Sequence, residues 1–528
     1  MSREFNTAGP NKPELHYTLP PFMRWNLVEI ESLIAGQRYF VLHAPRQTGK
    51  TTCLLALAEL LNSGGRYHCA YANIEAAQAF RNQVVPGLRS IVESIALGAA
   101  VHARDEAAKP LFEELLKRSA SESLVRAFLN EWCQRVRKPI VLLLDEVDAL
   151  IGDTLISLLR QLRAGYTDRP RAFPQSVLLC GVRDVRDYRI HSPGEQTIVT
   201  GGSAFNIKAE SLRLGDFARA EIEALYAQHT AETGQGFEPA ALDLAWELTR
   251  GQPWLVNALA RQACFKMEAG RDRAKPVTLE LLQAAKEELI LRRDTHLDQL
   301  YARLEEDRVR RVIEPILANA EISVEQIPPD DALYVRDLGL IRRERKGFAI
   351  ANAIYREVIP RELIWTTQES ITQETEWYQR ADGTLDLTKL LRAFQQFFRE
   401  HSEHWVERFQ YKEAGPQLLL QAFLQRIINC GGRIEREYGL GRGRTDLMVL
   451  WPVPRPQQSA VIEVKVLRKA PAKAESDGLK QTAEYMDRCG AGEGHLVLFD
   501  RRPRRSWRER IFRRVRRSGA RKITVWGI

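Results

Sequence analysis

The sequence predicts a multidomain α/β protein organised on a buried parallel sheet, and three observations predict it. Residues 39–42 are an apolar run entering the loop Ala44-Pro45-Arg46-Gln47-Thr48-Gly49-Lys50-Thr51, after which residues 52–61 continue with helical apolar spacing. Residues 139–144 (PIVLLL) form an unbroken apolar strand closed by Asp145-Glu146, the end at which open α/β sheets present functional groups. At 528 residues the chain exceeds what one hydrophobic core holds, so roughly two to four domains are expected.

Strand, phosphate loop and helix come in the order that anion binding requires. Backbone N–H groups around Thr48 and Gly49 aim at a β-phosphate, and the dipole of a helix starting near Lys50 favours the same anion. Lys50 brings a positive charge to the β- and γ-phosphates, the Thr51 hydroxyl is the expected Mg2+ ligand, and Thr52 follows in the first helical turn. Ala44 stands where a glycine is usual, and its methyl is small enough for a close turn. Asp145 is expected to hold Mg2+ through water and Glu146 to act as general base on the attacking water. ATP and Mg2+ are therefore the expected cofactors.

Composition narrows the class. Hydrophobic residues make up 44% and charged residues 27%, and no stretch reads as eighteen consecutive apolar residues, so a soluble, cytoplasmic protein with no membrane partner is expected. Seven cysteines are scattered without a CxxC pair and ten histidines lack metal spacing, which points to reduced thiols and against structural zinc. The net charge of +9 is local: twelve Lys or Arg lie between Arg501 and Lys522 against the single acid Glu509, a net +11, leaving −2 for the rest. A placed polyanion-binding surface explains such a cluster; an Arg-rich helix face in solvent is the plain alternative.

In chain order, residues 1–21 read as a flexible lead and 22–206 as the nucleotide-binding core. Arg24 and Trp25 are candidate neighbours of the base. Residues 67–74 read as a second strand, 76–137 as several helices at the sheet edge, and 176–181 (SVLLCG) as another buried strand followed by Arg183, a candidate γ-phosphate sensor whose alternative is an ion pair with Asp184 or Asp187. Residues 207–276 are expected to form a helical lid, with the turn Gly251-Gln252-Pro253 positioning an apolar helix. Residues 277–362 fit a small winged helix, with a hairpin turning at Lys346-Gly347. A polar linker over 363–386 precedes a last domain over 387–528 that ends in the Arg-rich segment.

That last domain carries a second constellation. Residues 433–438 and 445–451 read as strands, the second containing Asp446, and residues 460–466 (AVIEVKV) as a third. Glu463 and Lys465 lie two apart and so share a face. An acid inside so apolar a run is buried unless a cation offsets its desolvation. Asp446, Glu463 and the Val464 carbonyl make an oxygen-rich Mg2+ site, with Mn2+ as an alternative ion. Lys465 is placed to orient water or to stabilise charge on a phosphorane. Gln481 and Tyr485 share a face of the following helix, Gln481 being a candidate contact to the scissile phosphate; Glu435 or Glu437 is a candidate third acid.

Residues 22–265 resemble the P-loop ATPase domain of prokaryotic AAA/STAND-like ATPases at Ala44 to Thr51, Asp145-Glu146, Gly181-Val182-Arg183-Asp184 and Gly251 to Val256. Residues 387–500 are similar to the PD-(D/E)xK nuclease superfamily, with Asp446, Glu463, Lys465 and the Gln481–Tyr485 helix on its motif; Thr445 replaces the usual proline. The resemblance implies a P-loop NTPase sheet, a helical lid, a winged helix and a restriction-endonuclease-like α/β domain. It implies an ATPase that regulates a metal-dependent nuclease acting on nucleic acid, DNA foremost, through the winged helix and the Arg-rich C-terminus, and is compatible with a homo-oligomer. No arginine finger is assignable, which implies ATP hydrolysis that is slow or acts as a switch. The alternative is an ATP-dependent DNA-binding or signalling protein whose nuclease-like domain is catalytically inactive.

Overall fold

The computed structural model describes residues 3–118, 121–183, 189–191, 198–200, 205–292, 295–317, 327–344, 347–363, 378–408, 420, 423–424, 433–440, 443–452, 457–467, 471–500, 502 and 505–528. The chain divides into two compact units, Met1–His296 with Leu333–Leu340, and Leu297–Ala332 with Ile341–Ile528.

The first unit is built on β1 (Tyr39–His43), β2 (His68–Asn73), β3 (Ile140–Asp145), β4 (Ser176–Gly181) and β7 (Lys208–Arg213), the antiparallel ribbon β5 (Arg189–His191) and β6 (Ile198–Thr200) intervening in sequence. The sheet order is β2-β3-β4-β1-β7 with every pair parallel. Because side chains alternate across a strand, Phe40, Leu42, Val141 and Leu143 pack with Leu54 and Leu57 of the helix Lys50–Ser63 on one face. Tyr39, Val41, Leu142 and Leu144 pack on the other face under the helices Val84–His102, Leu124–Arg135 and Asp153–Ala164. Burial on both faces is why these strands read as apolar runs.

One core helix corrects the reading of apolar runs. Val84–His102 is long and apolar enough to cross a membrane by length and composition, although Arg89 and Glu93 interrupt it. Its Leu88, Ile91, Val92, Ile95 and Ala99 are buried in the core, which accounts for the composition.

A buried polar node ties this layer together. Asp105 accepts hydrogen bonds from His68 Nε2 at 3.0 Å, Trp132 Nε1 at 2.7 Å and the Ala107 N–H at 2.8 Å. Burial raises the Asp105 pKa, but these donors outweigh it and hold the carboxyl at about 2. The depressed pKa contributes stability that is present above the unfolded value near 3.8 and is lost as pH falls through about 2. Replacing Asp105 by Asn is therefore expected to flatten the acid limb of a stability–pH curve between those values, by about 1–2 kcal/mol; an unchanged acid limb in denaturation series at pH 2, 3, 4 and 6 would exclude this role.

Residues 3–18, expected as a flexible lead, are packed. Phe5 and Tyr17 are fully buried against Tyr226 and His229 of the helix Arg219–Thr233, and the Tyr17 hydroxyl lies 3.1 Å from His229 Nδ1. Arg3 pairs with Glu232 and Arg261 with Glu4. Two aromatics dispersed among polar residues bury against Tyr226 and His229 of the helix Arg219–Thr233 and, for Phe5, Phe265.

In the second unit, the helix Asp307–Leu317 is followed by β8 (Ile341–Glu344) and β9 (Gly347–Ile350), an antiparallel hairpin; residues 345–346 at its expected turn lie outside the described residues. A separate mixed sheet follows the helix Leu387–Arg408: β10 (Arg433–Leu440), β11 (Gly443–Trp451), β12 (Gln458–Leu467), β13 (Glu493–Asp500), β14 (Phe512–Ser518) and β15 (Arg521–Gly527). Its order is β10-β11-β12-β13-β15-β14, antiparallel at β10-β11, β11-β12 and β14-β15 and parallel between β12, β13 and β15. The helix Pro471–Cys489 makes the β12-to-β13 crossover. Most of the expected linker over 363–386 lies outside the described residues.

The Arg-rich segment is a strand hairpin with only one helical turn, Trp507–Arg510, before it. Pairing with the β-branched and aromatic run of β15 decides this, and β14 is left as a charged edge strand, a form that discourages edge-to-edge association.

Candidate functional site

The phosphate loop joins β1 to the helix Lys50–Ser63. Gly49 sits at the helix N-cap with φ +89, and Gln47 also has positive φ (+56). Such alternation turns successive N–H groups to one side, making an anion-binding concavity at the positive end of the helix. Ala44 is fully buried and its N–H donates to the Gly181 carbonyl at 3.2 Å, so the methyl fits. Pro45 and Thr48 are buried, the Thr48 hydroxyl donating to the Pro45 carbonyl at 2.8 Å, whereas Arg46 and Gln47 are exposed.

Lys50 is 6% exposed, and its Nζ donates to the Ala44 and Pro45 carbonyls at 3.0 and 3.1 Å. Two of its three N–H bonds are thereby used, and the third remains for an anion. Asp145 ends β3 at 0% exposure, and its Oδ2 accepts from the Thr51 hydroxyl at 2.8 Å and from the Tyr71 hydroxyl at 3.0 Å. Hydroxyl and carboxylate oxygens brought together are the donor set of a hard cation. Thr52 accepts from the Asn11 N–H at 3.1 Å.

Glu146 has positive φ (+58) and follows Asp145 directly. A non-glycine residue there costs about 1–2 kcal/mol, strain of the kind that accompanies functional positions. Burial raises the Glu146 pKa, opposed by Lys50 and reinforced by Asp148 and Asp145; a raised carboxyl is the stronger base.

Sequence reasoning missed Tyr71. It lies on β2, where Tyr71 pairs with Leu143 and Asn73 with Asp145, so its side chain shares a face with Asp145 only once β2 and β3 are neighbours. Tyr71→Phe is expected to raise the Mg2+ concentration needed for half-maximal nucleotide binding by roughly tenfold, as loss of an outer partner of a metal-holding group does. A Mg2+ titration indistinguishable from wild type would exclude the assignment.

Arg183, just past β4, has its guanidinium 5.1 Å from the Tyr334 ring centre. The alternative partners Asp184 and Asp187 lie outside the described residues. Tyr334 belongs to the stretch Leu333–Leu340 that is part of the first unit. This stretch also brings Asp337 to 4.0 Å from His43 and Gly339 against the phosphate loop, where a Cβ would fall 2.6 Å from Pro45. Arg24, a candidate neighbour of the base, donates to the Thr48 and Gly215 carbonyls at 2.9 and 2.8 Å. Trp25 is instead buried in the core beneath the loop.

In the C-terminal sheet, Glu463 is 3% exposed and accepts from Lys465 Nζ at 2.8 Å, both on one face of β12. Leu447 of β11 lies opposite Ile462, so the backbone of Asp446, one residue on, falls beside that of Glu463. Glu437 holds the matching place on β10, between Arg436 and Tyr438, which pair with Leu447 and Thr445. The side chains of Asp446, Glu435 and Glu437 lie outside the described residues, and among the described residues no group of three His, Cys, Asp or Glu is set to hold a metal. The helix Pro471–Cys489 approaches β12 and β13 closely, since a Cβ on Gly478 would fall 2.7 Å from Leu496 and 3.4 Å from Lys465. Gln481 lies one turn further on, and its Oε1 is buried without a hydrogen-bond partner among the described residues.

Tertiary structure also sorts the arginines. Arg502 pairs with Asp500, Arg505 with Glu509, Arg514 and Arg516 with Glu475, and Arg521 with Asp487. Arg513 lies over the Trp526 ring. Arg508, Arg517 and Lys522 have no ion pair among the described residues; Arg501 and Arg504 lie outside them.

Residues 34–188 match the family model of an AAA domain, a span that contains β1 to β4, the phosphate loop and Asp145-Glu146. No curated protein matches the sequence. Among solved structures, a Walker-type ATPase of Pyrococcus abyssi is 13% identical, with 67% of this chain and 99% of that one covered at a TM-score of 0.46. The ORC2 protein of Aeropyrum pernix in ADPNP–ADP complexes is 15% identical, covering 66% and 96% at 0.39, and the ORC1 protein of the same organism in complex with DNA is 16% identical, covering 66% and 94% at 0.34. The parallel sheet, the phosphate loop and the family-model match together give the first unit a P-loop NTPase fold with an AAA domain match, and the C-terminal region has a mixed sheet of its own.

Proposed function

We propose that this chain is an ATPase whose nucleotide state governs a metal-dependent nuclease acting on DNA. In this reading ATP binds with its phosphates in the concavity around Gly49, its charge met by Lys50 and Mg2+ held by Thr51 and Asp145. The ion supplies neutralisation of charge on the phosphate oxygens, and Glu146 accepts a proton from the attacking water. Residues 387–528 act as a restriction-endonuclease-like domain, in which Asp446 and Glu463 hold Mg2+ or Mn2+ and Lys465 carries the positive charge beside the scissile phosphate. Residues 277–362 act as a winged helix, and Arg508 of the helical turn, Arg517 of the edge strand β14 and Lys522 of β15 meet the DNA backbone.

The observation that carries the nuclease reading is the buried Glu463 bonded to Lys465 within an apolar strand of a mixed sheet. A carboxylate withdrawn from water is costly unless cations meet it; Lys465 supplies one positive charge, and a metal ion on the same face would supply a second. The gating reading is supported by Leu333–Leu340, which rests on Pro45 and beside Arg183 and leads directly into the β8–β9 hairpin. A phosphate that draws Arg183 away competes with Tyr334 for the same guanidinium.

The test is cleavage of supercoiled and linear DNA by wild type, Lys50→Ala and Asp446→Ala, with Mg2+ or Mn2+, with and without ATP. Cleavage surviving in Asp446→Ala sinks the nuclease. Cleavage indifferent to both ATP and Lys50→Ala sinks the gating, and DNA binding without cleavage under every condition identifies an ATP-dependent binding protein.

A further inference from the structure

We propose that the nucleotide base is read as adenine by Asn257, in a compartment that the N-terminal segment closes from one side. The inference rests on the reading of ATP at the phosphate loop. A cavity adjoins that loop, lined on one side by Thr48, Gly49 and Thr52, on another by Pro253, Trp254 and Asn257, and along its rim by residues 6–9 and 11. Pro253, Trp254 and Asn257 fall at i, i+1 and i+4 of one helix and so present one face to the cavity.

The N-terminal segment is tied to both walls. The Trp254 Nε1–H donates to the Thr7 carbonyl at 2.9 Å, and the Asn11 N–H to the Thr52 hydroxyl at 3.1 Å. The segment's two ends are anchored by the burial of Phe5 and Tyr17. It therefore spans from the helix carrying Asn257 to the helix that begins at the phosphate loop.

Asn257 is 6% exposed. Its Nδ2 donates to the Pro253 carbonyl at 2.8 Å. A carbonyl only accepts, so this bond fixes which end of the amide is nitrogen. The other end, Oδ1, is a buried acceptor with no hydrogen-bond partner among the described residues. A buried acceptor left unmet is unfavourable, and a ligand that supplies an N–H removes the penalty. Adenine offers its 6-amino group; guanine carries a carbonyl at that position and would set acceptor against acceptor. Asn257 thus selects by what it satisfies and by what it repels.

The experiment compares four ligands on the full chain with Mg2+: ATP, GTP, purine riboside triphosphate, which lacks the 6-amino group, and inorganic tripolyphosphate. Wild type is expected to bind ATP roughly fivefold to tenfold more tightly than purine riboside triphosphate, and GTP more weakly still. In Asn257→Leu the difference between ATP and purine riboside triphosphate is expected to vanish while tripolyphosphate binding is unchanged. Equal binding of ATP and purine riboside triphosphate by wild type overturns the assignment without any variant having to fold. An ATP preference that persists in a folded Asn257→Leu overturns it too. If neither ATP nor tripolyphosphate binds, the phosphate-loop reading itself falls, an outcome distinct from loss of base selection alone.

Discussion

Lys50→Ala is expected to lower ATP hydrolysis by roughly 100-fold or more, the scale seen when one preorganised charge donor is removed from a transition state. The structure gives two reasons. The ammonium is buried and already aligned by the Ala44 and Pro45 carbonyls, so little reorganisation is needed when charge grows on a phosphate oxygen. The same two bonds brace the loop, so alanine also loosens the backbone whose N–H groups face the anion. Phosphate release measured at saturating ATP, beside a thermal melt to confirm folding, separates these effects. A folded variant that hydrolyses at the wild-type rate would remove Lys50 from the site.

The second large effect is expected at the C-terminal sheet. Under the proposed function, Asp446→Ala and Glu463→Gln are each expected to reduce DNA cleavage by roughly 100-fold, with DNA binding retained because most of the proposed phosphate contacts, Arg508, Arg517 and Lys522, are left intact. The two substitutions are not equivalent in stability. Glu463 is buried and bonded to Lys465, so a neutral side chain removes the negative charge that this ammonium meets, whereas the Asp446 change does not strip Lys465 of that bond. Retained binding with lost cleavage in both variants supports a shared metal site; cleavage lost in Glu463→Gln alone, with a lowered melting temperature, would mark Glu463 as structural.

Much of the first site was legible because it is contiguous. A strand, a loop and a helix start occupy residues 39–63, and the backbone periodicities that define them act over a few residues, as does the positive φ at Gly49. The acid pair was legible for the same reason: an apolar strand that stops at Asp145-Glu146 announces its own end. Glu463 and Lys465 were readable as a same-face pair because a strand alternates. Other features carried no local signature. The Arg-rich segment has helix-compatible residues, and only pairing with β15 makes it a strand and divides its charges between ion pairs and solvent. The N-terminal segment has a disordered-looking composition, with Phe5 and Tyr17 diluted among polar residues.

Residue order alone was thus enough to specify the phosphate loop, the Asp145-Glu146 pair, four of the five parallel strands and the Glu463-Lys465 face, since each depends on spacings of a few residues that backbone geometry converts into position, whereas Lys208–Arg213, read within a helical lid, becomes the fifth strand only by pairing with β1. Packing was needed for the rest. Tyr71 reaches Asp145 across 74 positions, and Trp254 meets the Thr7 carbonyl across 247. Separations of that length are not encoded by any helix or strand period. They arise from which strands become neighbours and which apolar troughs remain to be filled, and those are properties of the folded chain.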